Sequence, residues 1–416
     1  MTIQTKAPDI RFENFSGDWQ DKGIGSILAE TRRPVELLDN ELYQLVTVKR
    51  RNEGVVARAS LKGKDILVKN YFGIKSGDYL ISKRQVVHGA NGIVPESLDN
   101  AVVSNEYLVV TDSDEITAKF WTVISKRHQM HKLFFISSYG VDIEKLVFDV
   151  SDWKNRSITI PDVTEQNSIT DYFQKLDNLI NQHQQKHEKL TNIKKSMLEK
   201  MFPKQGETIP EIRFKGFSGE WDEIGLLDSI ERIIDFRGRT PKKLGLDWSP
   251  SGYRALSALN VKQGYIDFSI DPHFGDQELY DKWMNGSELH QGQVLFTTEA
   301  PMGNVAQVPN ADKYILSQRT IAFVVKREVI NEDFLAVLLR SFKVFRELTA
   351  LSSGGTAKGV SQKVLSNLYV LIPTDLEEQT TIGNYFQKLD ALINQHQQQI
   401  TKLTNIKQAC LSKMFV

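Results

Sequence analysis

The sequence predicts an α+β protein with two similar domains of mixed short strands and helices. Two long repeated helices are expected to join them as an antiparallel coiled coil with internal pseudo-two-fold symmetry. The main observation is a duplicated stretch, because residues 172–202 and 385–415 are identical at 23 of 31 positions. A shorter lead-in segment at residues 8–19 recurs at residues 210–221. The inserts between each lead-in segment and its helix are dissimilar, so the frame is repeated while its inserts differ.

The repeat sets the expected domain boundaries better than chain length does. A chain of 416 residues is too long for one hydrophobic core. We expect a first domain at 1–160, a first spacer helix at 161–205, a second domain at 206–372 and a second spacer helix at 373–416. A duplicated frame with two different inserts is suited to presenting two different binding surfaces.

Each long helix is expected to begin after a strand-like ending and a proline, at residues 158–161 and 368–373. Proline ends a strand and is tolerated in the first turn of a helix. Acidic residues follow, among them Asp162, Glu165 and Glu378. Negative side chains at this place suit the positive end of the helix dipole.

The apolar positions of both helices keep a seven-residue pattern with alternating steps of three and four, which is typical of a coiled-coil seam. The predicted seam residues are Phe173, Leu176, Ile180, Leu190, Met197, Phe386, Leu389, Ile393 and Leu403. Because the two copies are so alike, we expect each helix to pack against the other. A solvated linker helix is the alternative, but a narrow apolar stripe needs a partner.

His183 and His187 lie one helical turn apart, a spacing that metal ligands use. The second copy keeps His396 but has Ile400 where His187 stands in the first. That position therefore accepts a plain apolar residue. We interpret these histidines as seam residues and predict no metal site.

The two inserts contain short strand-like runs and helical segments. Strands are expected at 65–68, 79–81, 102–103, 107–110, 293–297, 315–316 and 321–325, and helices at 117–131 and 331–351. Residues 77–81 correspond in pattern to 292–296, and residues 107–110 to 320–323. The inserts are therefore expected to share one fold while their surfaces differ.

The composition is that of an ordinary globular protein with no net charge and a pI near 7.1. A protein that binds nucleic acid alone is usually basic, since phosphate neutralisation supplies much of the affinity. Neutrality therefore favours either no DNA binding or binding within a larger complex. Cys410 is the single cysteine, which excludes an internal disulfide. No signal core and no apolar run near the roughly 20 residues of a membrane span are present, which predicts a cytoplasmic protein.

Two segments approximate catalytic motifs without completing them. Residues 354–361 have the outline of a phosphate loop, but Val360 stands where the lysine belongs. Residues 271–274 approximate an amino-methyltransferase signature, with His273 in place of its second proline. No glycine-rich cofactor loop accompanies them. We therefore expect no catalytic residues and no cofactor.

Clusters of basic and polar residues in turn-like stretches occur in both inserts. The candidate DNA-binding residues are Lys49, Arg50, Arg51, Asn52, Lys83, Arg84, Gln85, Arg237, Arg239, Thr240, Lys242, Lys358, Ser361 and Gln362. Side chains of these types contact phosphates and base edges. Each cluster alone is more often ordinary solvated surface, and their presence in both inserts favours a shared role.

The junctions before the two helices resemble those of a known family. They read Ile-Pro-Asp-Val-Thr-Glu-Gln at 160–166 and Ile-Pro-Thr-Asp-Leu-Glu-Glu-Gln at 372–379. Residues 239–243 and the glycine-containing loop at 354–363 are similar to segments of the same family's recognition domains. With two variable domains, each followed by a near-identical helix, the chain resembles the specificity subunits of type I restriction–modification systems.

This resemblance implies that each variable domain reads one half of a split site in double-stranded DNA. It implies that the helices set the spacing and dock two methyltransferase subunits, with endonuclease and translocase subunits in the larger complex. The chain itself would then have no catalytic activity. About 30 helical residues at ~1.5 Å each give a rod of about 45 Å, which can hold two heads roughly one DNA turn apart.

Two other interpretations stay open at this point. A DNA methyltransferase or nuclease acting alone would need a cofactor or metal site that the sequence does not show. A structural adaptor whose two heads bind proteins would not need basic loops, and the neutral charge slightly favours it.

Overall fold

The computed structural model describes residues 6–67, 70–352 and 359–416. The chain divides into two compact units. The first consists of Met1–Gln182 together with Gln399–Val416, and the second of His183–Gln398. Each long helix therefore contributes residues to both units.

The first unit contains the first insert and parts of both long helices. Its strands are β1 (Gln20–Gly23), β2 (Ala29–Glu30), β3 (Pro34–Val35), β4 (Leu42–Lys49), β5 (Gly54–Lys62), β6 (Tyr71–Gly73), β7 (Tyr79–Ser82), β8 (Asn91–Ile93), β9 (Val102–Ser104), β10 (Tyr107–Thr111), β11 (Ser138–Tyr139), β12 (Val147–Phe148) and β13 (Ser157–Ile160). Its helices are α1 (Ile24–Ile27), α2 (Ala118–Ile124), α3 (His128–Ile136), α4 (Val150–Lys154) and the beginning of α5 (Val163–Lys200).

Within the described residues, a sheet of order β2-β10-β7-β8 lies between helices and a second sheet of order β3-β6-β9-β4-β5. Successive side chains of a strand point to opposite faces. Tyr79 and Ile81 of β7 accordingly pack in the cluster that contains Trp121 of α2, whereas Leu80 packs with Val46 of the second sheet. Because both faces are covered, all four residues of β7 are buried.

The second unit contains the second insert. Its strands are β14 (Asp222–Gly225), β15 (Ile230–Asp235), β16 (Tyr253–Leu256), β17 (Phe274–Gly275), β18 (Val294–Thr297), β19 (Val305–Gln307), β20 (Tyr314–Leu316), β21 (Thr320–Val325) and β22 (Tyr369–Ile372). Its helices are α6 (Gln277–Met284), α7 (Glu332–Leu338), α8 (Phe342–Leu351), α9 (Gln362–Ser366) and the beginning of α10 (Leu376–Lys413).

The second unit repeats the central arrangement of the first. Among its described strands, one sheet has the order β15-β21-β18-β19 and another the order β17-β16-β20. Val294 and Phe296 of β18 pack with the helices, and Leu295 packs with the second sheet. Strands β18 and β21 thus take the places of β7 and β10. The prediction that the inserts share a fold is confirmed.

Two predicted helices are wrong in extent, because each is two shorter helices. The segment 117–131 breaks after Ile124, and the segment 331–351 breaks after Leu338. The residues that precede the second helices, Arg127 and Ser341, have extended backbone, which ends one helix and starts the next. Each short helix can then direct its own apolar face into the core.

One predicted strand is also wrong. Residues 63–65 of the segment around the predicted strand 65–68 form a 3-10 turn, and Ile66 and Leu67 that follow are not in a strand. A Cβ atom at Gly63 would lie 2.2 Å from the carbonyl oxygen of Leu38, so this close approach admits only glycine. Val68 lies outside the described residues.

The long helices pair within the first unit. The Tyr172 hydroxyl lies 3.6 Å from the Cys410 Sγ, and the Lys407 ammonium binds Asp177. Residue numbers rise along one helix as they fall along the other, so the pair is antiparallel. Phe173 and Leu176 are buried there, and Leu403 is partly buried.

The second unit contains an antiparallel pair made from the other parts of the same helices. The Nδ1 atoms of His183 and His396 lie 2.9 Å apart, and Lys194 binds Asp390. The predicted antiparallel pairing is therefore confirmed. Of the remaining predicted seam residues, Phe386 and Leu389 are buried and four are partly buried: Ile180, Leu190, Met197 and Ile393. Across the described ranges, no helix combines the length and apolar character needed to cross a membrane.

Candidate nucleic-acid interface

The first candidate cluster forms the turn between β4 and β5. Arg51 and Asn52 both have left-handed backbone, with φ of 60° and 57°. Their amide groups donate to the carbonyl oxygens of His88 and Gly89 at 2.7 and 2.8 Å. The turn therefore packs on the loop after β7, which carries Lys83, Arg84 and Gln85 in sequence. The fold brings together two clusters that are separate in the chain.

Most cations of this surface have a carboxylate partner. Arg50 binds Glu144 at 2.7 Å, and Arg84 binds Glu106 at 2.7 Å. Exposed pairs of this kind stabilise a protein by only about 0–1 kcal/mol, so a phosphate could replace the carboxylate. Arg51 is exposed and has no side-chain partner among the described residues. Its guanidinium is the cation of this turn that is available without breaking another contact.

Two of the predicted residues here are directed partly into the protein. Lys83 Nζ donates to the carbonyl oxygen of Asn105 at 2.7 Å, and burial is the main cause that lowers the pKa of its ammonium group. The Gln85 Oε1 atom is buried. Lys49 remains exposed, at 4.0 Å from Glu53.

The second candidate cluster is the loop after β15. Arg237 binds the carboxylate of Asp235 at 2.6 Å. The Arg239 guanidinium lies 4.3 Å from the centre of the Phe236 ring and donates to the carbonyl oxygen of Trp283. These two arginines fix the shape of the loop.

The loop continues into a 3-10 turn at Pro241–Leu244. The Thr240 hydroxyl accepts a hydrogen bond from the amide of Lys243 at 3.3 Å and so begins this turn. Lys242 is exposed, and within the part of the chain that the structure describes its side chain has no polar partner. Lys242 is therefore an exposed cation without a partner among the described residues of the second domain, as Arg51 is in the first.

The polar segment before α9 lies beside this loop. The Val360 amide donates to Thr298, and its carbonyl oxygen lies 3.5 Å from Arg237 Nη1. Ser361 accepts from the Val364 amide and caps α9, and Gln362 is exposed. Lys358 lies outside the described residues.

A cavity of about 420 Å³ opens beside the second cluster, lined by Thr240 and Lys242 among others. Its wall carries residues that the sequence analysis did not select as contacts. His273 Nδ1 lies 2.7 Å from Asp271 Oδ1, and the Trp248 ring lies 5.4 Å from the His273 ring. Trp248 follows the basic loop closely in sequence, whereas Asp271 and His273 lie farther along the chain and reach this place only through the fold.

The backbone around this cavity is strained. Asp271, Ala300 and Arg319 all line it, and their φ angles are 51°, 48° and 63°. A non-glycine residue in such a conformation costs about 1–3 kcal/mol and is found most often at functional sites. This cavity and its basic loop are therefore the candidate contact surface of the second domain.

Asp271 and His273, in the segment that approximates the methyltransferase signature, make local contacts, whereas residues 354–358 of the phosphate-loop outline lie outside the described residues. Asp271 accepts a hydrogen bond from the Ser257 hydroxyl at 2.5 Å and pairs with His273, so its carboxylate serves local structure. Across the described ranges, no group of three or more His, Cys, Asp or Glu side chains could hold a metal ion. The arrangement of these surfaces suits binding.

The known proteins to which this chain is similar are all of one kind. The family model of the type I restriction modification DNA specificity domain matches residues 233–405. The type I restriction enzyme MjaVIII specificity subunit of Methanocaldococcus jannaschii is 22% identical over 396 residues, covering 90% of this chain and 87% of that protein. The chain is similar to the specificity subunits of type I restriction–modification systems.

Two further relatives extend the comparison. The putative MjaX specificity subunit of the same organism is 24% identical over 247 residues, covering 58% of this chain and 54% of that protein. The solved S subunit of a type I restriction–modification system from M. genitalium has a TM-score of 0.58 at 13% identity, over 99% of both chains. At this identity the likeness concerns the fold alone.

The repeated helices of this chain keep identical residues on their exposed sides as well as in the seam. Leu179 and Leu392 occupy the same repeat position, and each is 43% exposed. Gln182 and Gln395 are both exposed one turn further on. An exposed leucine in both copies is more than coiled-coil packing requires.

Proposed function

We propose that this chain is a specificity subunit of a type I restriction–modification system that reads an asymmetric, bipartite sequence in double-stranded DNA, with one half-site for each recognition domain. One observation carries the proposal: two domains with the same central sheet present different contact surfaces. The first offers the turn with Arg51 and Asn52, and the second offers a basic loop with Lys242 beside an aromatic cavity. Different side chains in the two domains read different bases.

The neutral net charge is compatible with this function when partners supply further positive surface. Phosphate contacts supply most of the non-specific affinity for DNA, and they require cations that are free to bind. Arg51 and Lys242 are such cations, and several others must first give up a carboxylate. We therefore expect weak binding by the isolated chain and stronger binding by the assembled complex.

The helices are proposed to dock two methyltransferase subunits. Two copies of one partner need two copies of one surface, and the shared exposed residues, such as Leu179 and Leu392, supply it. Methylation and cleavage are assigned to the partner subunits, with the endonuclease and translocase subunits joining the larger complex. The specificity subunit contributes recognition and no catalytic group.

The helix pair is also proposed to set the spacing between the half-sites. Each long helix has 38 residues, which corresponds to a length of about 57 Å at ~1.5 Å per residue. Insertion of one heptad into both helices should lengthen the unspecified gap in the DNA target. An unchanged gap would contradict the role of the helices as a ruler.

The first experiment is a genome-wide map of adenine methylation in the host, with and without the gene. Loss of methylation at one split, asymmetric motif is expected. Complementation with the wild-type gene should restore it, and complementation with a chain whose second insert is exchanged should change only one half of the motif. A motif that stays intact without the gene would refute the proposal.

A two-headed adaptor that binds proteins is the second candidate. The pairing of Arg50 with Glu144 and of Arg84 with Glu106 favours it, because mixed charges are common on protein-binding surfaces. The two functions differ in their dependence on salt. Duplex binding by the purified complex that weakens steeply with salt would exclude the adaptor.

A further inference from the structure

A second cavity, of about 280 Å³, lies in the first unit beside the turn that contains Asn52. Its walls come from β8, α2 and the two long helices. Four charged side chains line it: Lys119, Lys126, Lys407 and Asp177. Three lysines and one carboxylate therefore line the cavity, which leaves it with an excess of positive charge.

The ion pairs inside the cavity do not remove this excess. Asp177 binds Lys407 and lies 3.7 Å from the Lys126 Nζ, so one carboxylate serves two ammonium groups. Burial lowers the pKa of Lys126, and the nearby charge of Lys407 lowers it further. An anion in the cavity would oppose both effects.

Buried amide groups lie at the same wall. Asn91 is 2% exposed, and its Nδ2 atom has no hydrogen-bond partner within the described residues. The Oδ1 atom of Asn52 is also buried and has no partner among those residues, but as an acceptor it would bind a donor such as water and not the anion. A buried polar atom without a partner costs about 1–3 kcal/mol, so such atoms call for an explanation such as a bound ion or water.

The second unit provides an internal comparison, because its sheet and helices repeat those of the first. In the sheets, Asn91 pairs with Ile81 as Val305 pairs with Phe296, so Val305 takes the place of Asn91. At the start of the helices, Asp333 of α7 takes the place of Lys119 of α2. The two residues that distinguish the first cavity are thus apolar and acidic in the second.

The equivalent cavity of the second unit measures about 480 Å³, and its charged lining consists of Arg340 and Asp390, which bind each other at 2.5 Å. Lys194 also binds Asp390, as Lys407 binds Asp177. The lysine at the start of the short helix, however, is replaced by the acidic Asp333, which balances the second cation. Asp333 is engaged nearby, where it accepts a hydrogen bond from Gln387 at 2.6 Å. The positive cavity is therefore a feature of the first domain and not of the repeated frame.

We propose that the first-domain cavity binds a phosphate-type oxyanion. Lysine ammonium groups hold phosphate as point charges, and ion pairs are stronger in a partly enclosed site than at an open surface. The anion is either a phosphate of the DNA backbone or a free phosphate group. The neighbouring turn with Arg51 would place a DNA backbone within reach. The proposal does not depend on the proposed function, since a free anion fits equally well.

The test uses the full-length chain and inorganic phosphate. Thermal unfolding is followed as phosphate replaces chloride at constant ionic strength, and phosphate should raise the Tm while chloride does not. Lys119→Asp, which copies the second domain, should weaken phosphate binding at least tenfold. Lys64→Asp makes the same charge change at an exposed position outside the cavity and should leave the response unchanged. Equal responses of phosphate and chloride, or of both variants, would overturn the proposal.

A second arm identifies the source of the phosphate. If the cavity holds a DNA phosphate, Lys119→Asp weakens binding of the complex to all duplexes alike, and inorganic phosphate competes with DNA. If it holds a free anion, the variant loses inorganic phosphate and keeps its duplex affinity. Either result supports an anion site. A lost methylation motif with no phosphate effect would leave the proposed function standing and refute this site alone.

Discussion

The ammonium group of Lys194 binds the carboxylate of Asp390 within the second unit, and Lys407 binds Asp177 in the same way within the first. Each pair joins the same two positions of the repeat. The lysines stand at heptad positions where an apolar residue is expected, and the carboxylates explain why lysine is accepted there. A partly buried polar pair of this kind favours one register of the helices over its neighbours.

Removal of the carboxylate should destabilise the second unit more than the first. Asp390→Asn leaves the charges of Arg340 and Lys194 without a carboxylate, and their side chains are only 5% and 16% exposed. A buried charge that has lost its partner lowers the free energy of unfolding by about 3–5 kcal/mol. Asp177→Asn should cost less, since Lys126 and Lys407 are 30% and 21% exposed.

Urea unfolding monitored separately in the two units would measure both costs. The double variant Asp390→Asn with Lys194→Met should recover part of the loss, because one unpaired charge is then removed. Equal losses for Asp390→Asn and Asp177→Asn would show that burial does not determine the strength of these pairs.

A second prediction concerns the lead-in segments. Arg213 donates from Nε and Nη2 to the two oxygens of Glu378 at 2.7 and 2.6 Å, and Arg11 binds Glu165 in the same way. Both carboxylates are almost fully buried. Arg213→Lys keeps the charge but loses the bidentate hydrogen bonding. We therefore expect the free energy of unfolding to fall by about 1–3 kcal/mol.

Chemical denaturation of the second unit would test this loss. Lys215→Arg, at a neighbouring exposed position, is a suitable control and should have no effect. An Arg213→Lys variant as stable as the wild type would mean that the lead-in segment is held by its apolar contacts alone.

These contacts explain which parts of the fold could be predicted from the sequence. The sequence showed that the junction before each long helix is repeated. It did not show why, because the contact that explains it joins Arg11 and Glu165, which are separated by 154 positions. Gln166, the next residue, accepts a hydrogen bond from the amide of Thr117 at 3.1 Å and donates to Pro161 at 2.9 Å. Glu165 and Gln166 thus fix the lead-in segment and the start of α2 to the long helix.

The helix breaks and the cavity contacts could not be predicted for a different reason. Apolar periodicity continues through Ser125 and Leu339, and neither proline nor glycine marks the change of direction. His273 and Trp248 carry no local signal of a shared surface with Lys242. Short-range patterns predicted the strands and long helices, whereas the site depends on contacts between distant segments.

A third prediction concerns the hydrogen bond between His183 and His396. One ring must donate and the other accept, so protonation of both would place two N–H groups against each other. Burial lowers the pKa of His396, and the charges of His183, Lys186 and His187 lower it further. The folded chain therefore binds this proton less readily than the unfolded chain.

The sign of the pH effect follows from this difference. Above the usual histidine pKa of about 6.5 neither state binds the proton, and the effect is absent. As the pH falls below that value, the unfolded state binds more protons and stability decreases. The urea midpoint of the wild type should fall between about pH 7 and pH 5. His183→Leu with His396→Leu should flatten this part of the profile, and an identical profile for wild type and variant would contradict the assignment.

The last prediction tests the turn of the first domain and rests on the proposed function. Arg51 is exposed and unpaired among the described residues, whereas Arg84 binds Glu106. Loss of one phosphate contact weakens binding to all sequences alike and lowers the slope of log affinity against log salt by about 1. Arg51→Ala in the assembled complex should show this change, and Arg84→Ala should show a smaller one, because its guanidinium is already partly neutralised. Fluorescence anisotropy on cognate and unrelated duplexes at several salt concentrations would measure both. A slope that Arg51→Ala leaves unchanged would exclude a phosphate contact at this turn, and a loss confined to the cognate duplex would assign Arg51 to base reading.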